Sequence, residues 1–130
     1  MACQANNGGT ITSGGGFSTR YPQPSFQKKA VAAYFTTAAA AGKSPVTGYA
    51  VTGRGFPDVS LAGHNYRIYV GGEILTVSGT SAAAPVMAGL LSNLNAVRLA
   101  SGKSSMGWAN PALYANSSLF MNDITSGDNK

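Results

Sequence analysis

One segment limits the choice of folds more than any other. From Ala82 to about Ala100, Val86, Met87, Leu90, Leu91, Leu94 and Val97 recur at helical spacing, with Ser92, Asn93, Asn95 and Arg98 on the other side. That period puts the apolar side chains on one stripe of an amphipathic helix. Pro85 is tolerated if it falls in the first turn, whose N–H groups have no partner inside the helix, and Gly102 supplies the stop. An apolar stripe of this length has to pack against something.

Upstream, residues 1–16 are polar and rich in glycine, ending in Ser13-Gly14-Gly15-Gly16. Pro22 and Pro24 lead to Ser25, which predicts a helix N-cap. Phe26, Ala30, Val31, Tyr34 and Phe35 then follow an amphipathic helical pattern, prolonged by Ala38–Ala41 and stopped by Gly42. Residues 56–62 predict a short strand, and 66–70 and 74–77 predict two more joined around Gly71-Gly72. Pro111–Tyr114 suggests one short helical turn before a polar tail, and no internal repeat is visible.

Composition removes several classes of function. Hydrophobic residues make up 44% and charged residues 10%, which argues against charge-driven disorder and for a chain that lies mostly inside something. Seventeen glycines imply many tight turns. The net charge is +5, but the nine basic residues are scattered and only Lys28-Lys29 are adjacent, so no nucleic-acid partner is expected. The single cysteine, Cys3, allows no intrachain disulfide. No run approaches the roughly 20 apolar residues of a membrane span. The opening MACQANNGGT has neither a basic nor an apolar leader region, so no signal peptide is expected, and it reads like the middle of a protein.

Two patterns resemble functional sites. Gly-Lys-Ser occurs at 42–44 and 102–104, as at the end of a phosphate-binding loop, but that loop needs a glycine five residues earlier, where Thr37 and Val97 stand. Both triplets also follow helices, whereas phosphate binds at helix starts, so they read as C-caps. Asp58, His64 and Ser81 occur in the order of one type of charge-relay triad. His64 lies in the predicted turn Gly63-His64-Asn65, where a histidine is ordinarily a surface residue. A small hydrolase built on Asp58, His64 and Ser81 is nevertheless one alternative.

The stretch SGTSAAAPVMAG, residues 78–89, places Ser81 where the long helix starts. There the unpaired N–H groups and the helix dipole stabilise a developing oxyanion, and the glycine ahead of the serine lets a substrate backbone approach. The same residue types also serve as an ordinary Ser/Thr N-cap. The wider run SGTSAAAPVMAGLLSNLNAVRLASGK, with GWANPALY and MNDITSG after it, resembles the sedolisin family of serine-carboxyl peptidases. SGGGFSTRYPQPSFQKKAVAAYF and GRGFPDVSLAG resemble the same family in the same order, so the likeness runs from about residue 8 to residue 129.

That resemblance implies an α/β fold, the C-terminal portion of a subtilisin-like, doubly wound parallel sheet, incomplete here. It divides the chain into a lead-in (1–24), a core with the nucleophile helix (25–119) and a truncated calcium-loop segment (120–130). It makes Ser81 the nucleophile that forms an acyl-enzyme, and Asp123 with the Ile124 carbonyl the start of a Ca2+ site. It implies a peptide or protein substrate, acidic working pH, and an extracellular or lysosomal setting.

The family's base is a glutamate paired with an aspartate on an upstream helix, and a second aspartate stands at the oxyanion site. The acidic residues here are Asp58, Glu73, Asp123 and Asp128, and none fits either role. Asp58, in the Pro-Asp-Val-Ser segment, reads as structural. The expectation is therefore a fragment whose partner is the missing N-terminal part of the catalytic domain, and which is inactive alone. Losing a general base costs about 10² to 10⁴ in rate. Calcium wants about six to eight oxygens, and Asp123, Asp128 and Asn129 would hold an ion only weakly. The alternative is a truncated, non-catalytic paralogue that acts as a binding module.

Overall fold

The computed structural model describes residues 8 and 12–125. In chain order its elements are β1 (Gly16–Pro22), a 3₁₀ turn (Ser25–Gln27), α1 (Lys28–Ala40), β2 (Gly53–Phe56), β3 (Tyr66–Val70), β4 (Glu73–Val77), α2 (Thr80–Ala100) and α3 (Asn110–Phe120). They fall into two compact units. One comprises Gly15–Asp58 with Trp108–Thr125, and the other is built on Val59–Gly107. The expected α/β class holds as helices with two small antiparallel sheets, β1 with β2 and β3 with β4.

In the first unit, β1 and β2 pair Gly16 with Phe56, Phe17 with Gly55 and Pro22 with Gly53, so β1 bulges between Phe17 and Pro22. The bulge is closed by Ser18, whose Oγ accepts the N–H groups of Arg20 and Tyr21 at 3.1 and 2.9 Å. It also brings the two backbones together: a Cβ on Gly53 would lie 2.0 Å from the Ser18 carbonyl oxygen. Phe17 packs against Phe35 and Tyr49 with ring centroids 5.2 and 5.3 Å apart, which ties the sheet to α1. At the other end of α1, Phe26 meets Trp108 and Tyr114, both at 5.3 Å.

The second unit is a hairpin and a helix. β3 and β4 pair in unbroken register from Tyr66–Val77 to Val70–Glu73. The two-residue connection Gly71-Gly72 has φ of +60° and +89°, the left-handed pair of a type I′ turn that suits the twist of a hairpin. Two further expectations hold in detail. Gly42 (φ +65°) and Gly102 (φ +71°) each close a Schellman cap, in which Lys43 N–H reaches Ala38 O and Lys103 N–H reaches Arg98 O. Both Gly-Lys-Ser triplets are helix C-caps.

Other boundaries differ. The strand expected at 56–62 is instead β2 at Gly53–Phe56, because Gly53 and Gly55 supply the close approach and Pro57, which has no N–H, follows directly. Ser25 is not an N-cap but the first residue of the 3₁₀ turn, preceded by Pro24. α3 runs to Phe120, well past the single turn expected at 111–114.

Burial is sparse. Among the described residues, Ala38 is the one buried apolar side chain and Gln27 the one buried polar side chain. α2 spans 21 residues and buries none of them.

Candidate functional site

Ser81 is the second residue of α2, exposed, and inside the first helical turn. The N-cap is Gly79, in an extended conformation (φ 161°, ψ 146°) and with no side-chain cap. The alternative of Ser81 as an ordinary N-cap is therefore not what the backbone forms. Because the helix starts at Thr80 and not at Ala82, Pro85 stands beyond the first turn, inside the helix. A proline has no N–H to give, so the Ser81 carbonyl lacks its usual acceptor bond from residue 85. Open N–H groups and the positive end of the dipole surround the Ser81 position, which favours negative charge there.

The segment ahead of Ser81 is lashed to the turn that enters β3. Gly79 N–H donates to Gly63 O at 2.8 Å, and both glycines are buried. Ser78 Oγ lies 2.6 Å from His64 Nδ1 and accepts Asn65 N–H at 3.3 Å. Asn65 holds φ +60°, a left-handed conformation that asparagine tolerates better than most residues. Tyr66 closes the same turn by donating its hydroxyl to Ala62 O. His64 is thus paired with a serine, but the serine is Ser78 and not Ser81.

Asp58 belongs to the other unit and is fully engaged there. It forms an ion pair with Arg54 and accepts Tyr114 O–H at 2.8 Å and Asn110 Nδ2–H at 3.1 Å. Gln27 Nε2 donates to Tyr114 Oη at 2.8 Å and lies 3.4 Å from Asp58. Burial holds the Tyr114 phenol above its ordinary value; the bond to Asp58 pushes the same way, and the bond from Gln27 opposes it. This network is a structural brace between β2, the 3₁₀ turn and α3, the role the sequence assigned to Asp58. The triad alternative of Asp58, His64 and Ser81 finds Asp58 bound to Arg54, Tyr114 and Asn110, and His64 to Ser78.

Asp123 and Ile124 follow α3 and are exposed. Among the described residues, no three His, Cys, Asp or Glu side chains gather as a metal site. Asp128 and Asn129 lie outside the described residues. Glu73 begins β4 beside the hairpin turn and is also exposed. Sequence reading missed the part played by Gln27, Asn110 and Tyr114. Their one signal was polar or half-polar residues beside apolar ones at the starts of two helices, and their shared partner, Asp58, is 31 to 56 residues away.

The chain matches known proteins along most of its length. Physarolisin of Physarum polycephalum is 47% identical over 123 residues, covering 92% of this chain and 21% of the relative. Aorsin of Aspergillus oryzae is 42% identical over 130 aligned residues, covering 92% of this chain and 20% of the relative. Tripeptidyl-peptidase sed1 of Aspergillus fumigatus is 41% identical, again with 92% and 20% coverage. The chain therefore spans about a fifth of the length of the curated relatives it matches. No family model matches it. Over most of its length, this chain is a homologue of the sedolisin and tripeptidyl-peptidase family.

Proposed function

We propose that these 130 residues are the nucleophile-bearing, C-terminal part of a sedolisin-type peptidase that hydrolyses peptide bonds at acidic pH. One observation carries the reading: α2, the helix that presents Ser81, has no buried residue, and Leu90, Leu94 and Val97 are 50%, 46% and 66% exposed. An apolar stripe in this state suits a helix that lies against the rest of a larger, doubly wound parallel sheet. The similarity to only a fifth of each relative agrees with that.

In the complete enzyme, Ser81 Oγ attacks the substrate carbonyl carbon and its proton passes to a carboxylate outside these residues. The amine leaves with a proton, an ester to Ser81 remains, and water hydrolyses it. The first-turn N–H groups of α2 steady the charge on the carbonyl oxygen. The chain alone lacks the base and the oxyanion carboxyl group and is inactive. Calcium fits these residues poorly: Asp123 and the Ile124 carbonyl offer at most three of the roughly six to eight oxygens the ion prefers, so no step is assigned to it.

The test is to capture the endogenous protein with an antibody to this chain and measure its intact mass. A mass far above 13.2 kDa, with acid-pH peptide hydrolysis lost in Ser81→Ala, supports the reading. A product near 13.2 kDa that hydrolyses nothing overturns it and favours a binding module.

A further inference from the structure

We propose that His64 is a positioning residue for the nucleophile: through Ser78 it fixes where α2 begins, and so where Ser81 stands. The proposal rests on Ser81 being the nucleophile, but its structural half is independent of that.

Three bonds join residues 63–65 to residues 78–79. Gly79 N–H meets Gly63 O at 2.8 Å, Asn65 N–H meets Ser78 Oγ at 3.3 Å, and Ser78 Oγ meets His64 Nδ1 at 2.6 Å. Ser78 Oγ already accepts from Asn65, so its own proton is free to go to His64 Nδ1 when the imidazole is neutral, leaving the ring proton on Nε2. This bond holds the Ser78 side chain toward the turn. Gly79 is thereby kept extended and against Gly63, and the first helical residue is Thr80. Ser81 follows one residue later, with no side-chain cap of its own to locate the helix end. The clasp takes the place of a cap. His64 touches Ser78 and not Ser81, so it acts on the reaction only through the backbone.

The atom in contact is Nδ1, which gives the test its selectivity. Asparagine at position 64 places an acceptor oxygen close to the Nδ1 position, whereas glutamine places one close to Nε2. Amide hydrogen exchange at Gly79 and the labelling rate of Ser81 by a fluorophosphonate are measured in the protein at its natural length. The variants are His64→Asn, His64→Gln, Ser78→Ala and Ser78→Thr. Gly79 should exchange about tenfold faster in His64→Gln, the effect of losing one hydrogen bond, and at least as fast in Ser78→Ala, which loses two; it should stay protected in His64→Asn and Ser78→Thr. Ser81 labelling should slow in the same two variants and recover in the other two. Equal protection of Gly79 in His64→Asn and His64→Gln, or an unprotected Gly79 in the wild type, overturns the clasp. A protected Gly79 that follows the expected pattern, with no labelling of wild-type Ser81, supports the clasp and overturns the nucleophile reading alone. Labelling that ignores the variants while Gly79 responds overturns the link from His64 to Ser81.

Discussion

Gln27 pairs through its side chain with both main-chain groups of Gly55: its Nε2 donates to Gly55 O and its Oε1 accepts Gly55 N–H, each at 2.8 Å. The amide stands in for a missing strand neighbour of β2. A third bond, to Tyr114 Oη, carries the same side chain to α3. Replacing Gln27 by leucine would strand both Gly55 groups in a buried place, at a cost of about 2–4 kcal/mol of unfolding free energy. Gln27→Glu should cost a similar amount near neutrality, since it sets a carboxylate beside Asp58. Part of that loss should return as pH falls and the new carboxyl group takes a proton. Urea unfolding of the protein at its natural length, at two pH values, checks both.

Gly53 should accept no side chain. Its Cβ would collide with the Ser18 carbonyl, which is backbone and cannot swing aside. Gly53→Ala is expected to break the β1–β2 pairing and lower stability by about 2 kcal/mol or more. Gly14→Ala, where nothing lies within 4 Å of the added carbon, should change stability far less. A Gly53→Ala protein as stable as Gly14→Ala would refute the close approach.

Tyr114 predicts an alkaline weakness. Its proton is held more tightly in the fold than in the unfolded chain, whose phenol titrates near 10.0. The stability it gives is complete below that value and lost as pH rises through the folded one. Tyr114→Phe should flatten this alkaline fall while lowering stability near pH 7 by about 1–2 kcal/mol, through the lost bonds to Asp58 and Gln27. Melting curves from neutral to strongly alkaline pH separate the two effects.

Produced as the 130-residue chain alone, the protein should self-associate. The stripe on α2 and the exposed Tyr69, Val70 and Ile74 of the hairpin leave apolar surface in water. Sedimentation should show mass rising with concentration, and a Leu90→Ser/Leu94→Ser double variant should move the population toward monomer. A sharp, concentration-independent melt of a monomer would contradict this.

Short-range features were the legible part of this sequence. Gly71-Gly72 named its hairpin, and the glycines after two periodic stretches marked helix ends, because each depends on residues only a few places apart. The pairing of β1 with β2 has no comparable local signal. β2 is four residues long, two of them glycine, and its glycines are there for what approaches them from β1 and Gln27. The segment around Asp58 reads as structural, yet nothing local indicates that Gln27, Asn110 and Tyr114 meet it. The motif places Ser81 near the helix start, but the helix begins two residues before Ala82, where Gly79 meets the distant Gly63. A proline in what looked like the first turn hid that shift.

Pro85 also leaves a spectroscopic mark. The peptide carbonyl of Ser81 is deprived of its i+4 donor, while neighbours further along α2 keep theirs. A carbonyl freed of that bond vibrates at a higher frequency than a helical one. A single ¹³C label at Ser81 should therefore give an infrared band apart from that of a labelled residue deep in the helix. That band would report, without a substrate or a probe, any group that comes to the first turn and offers the carbonyl a proton.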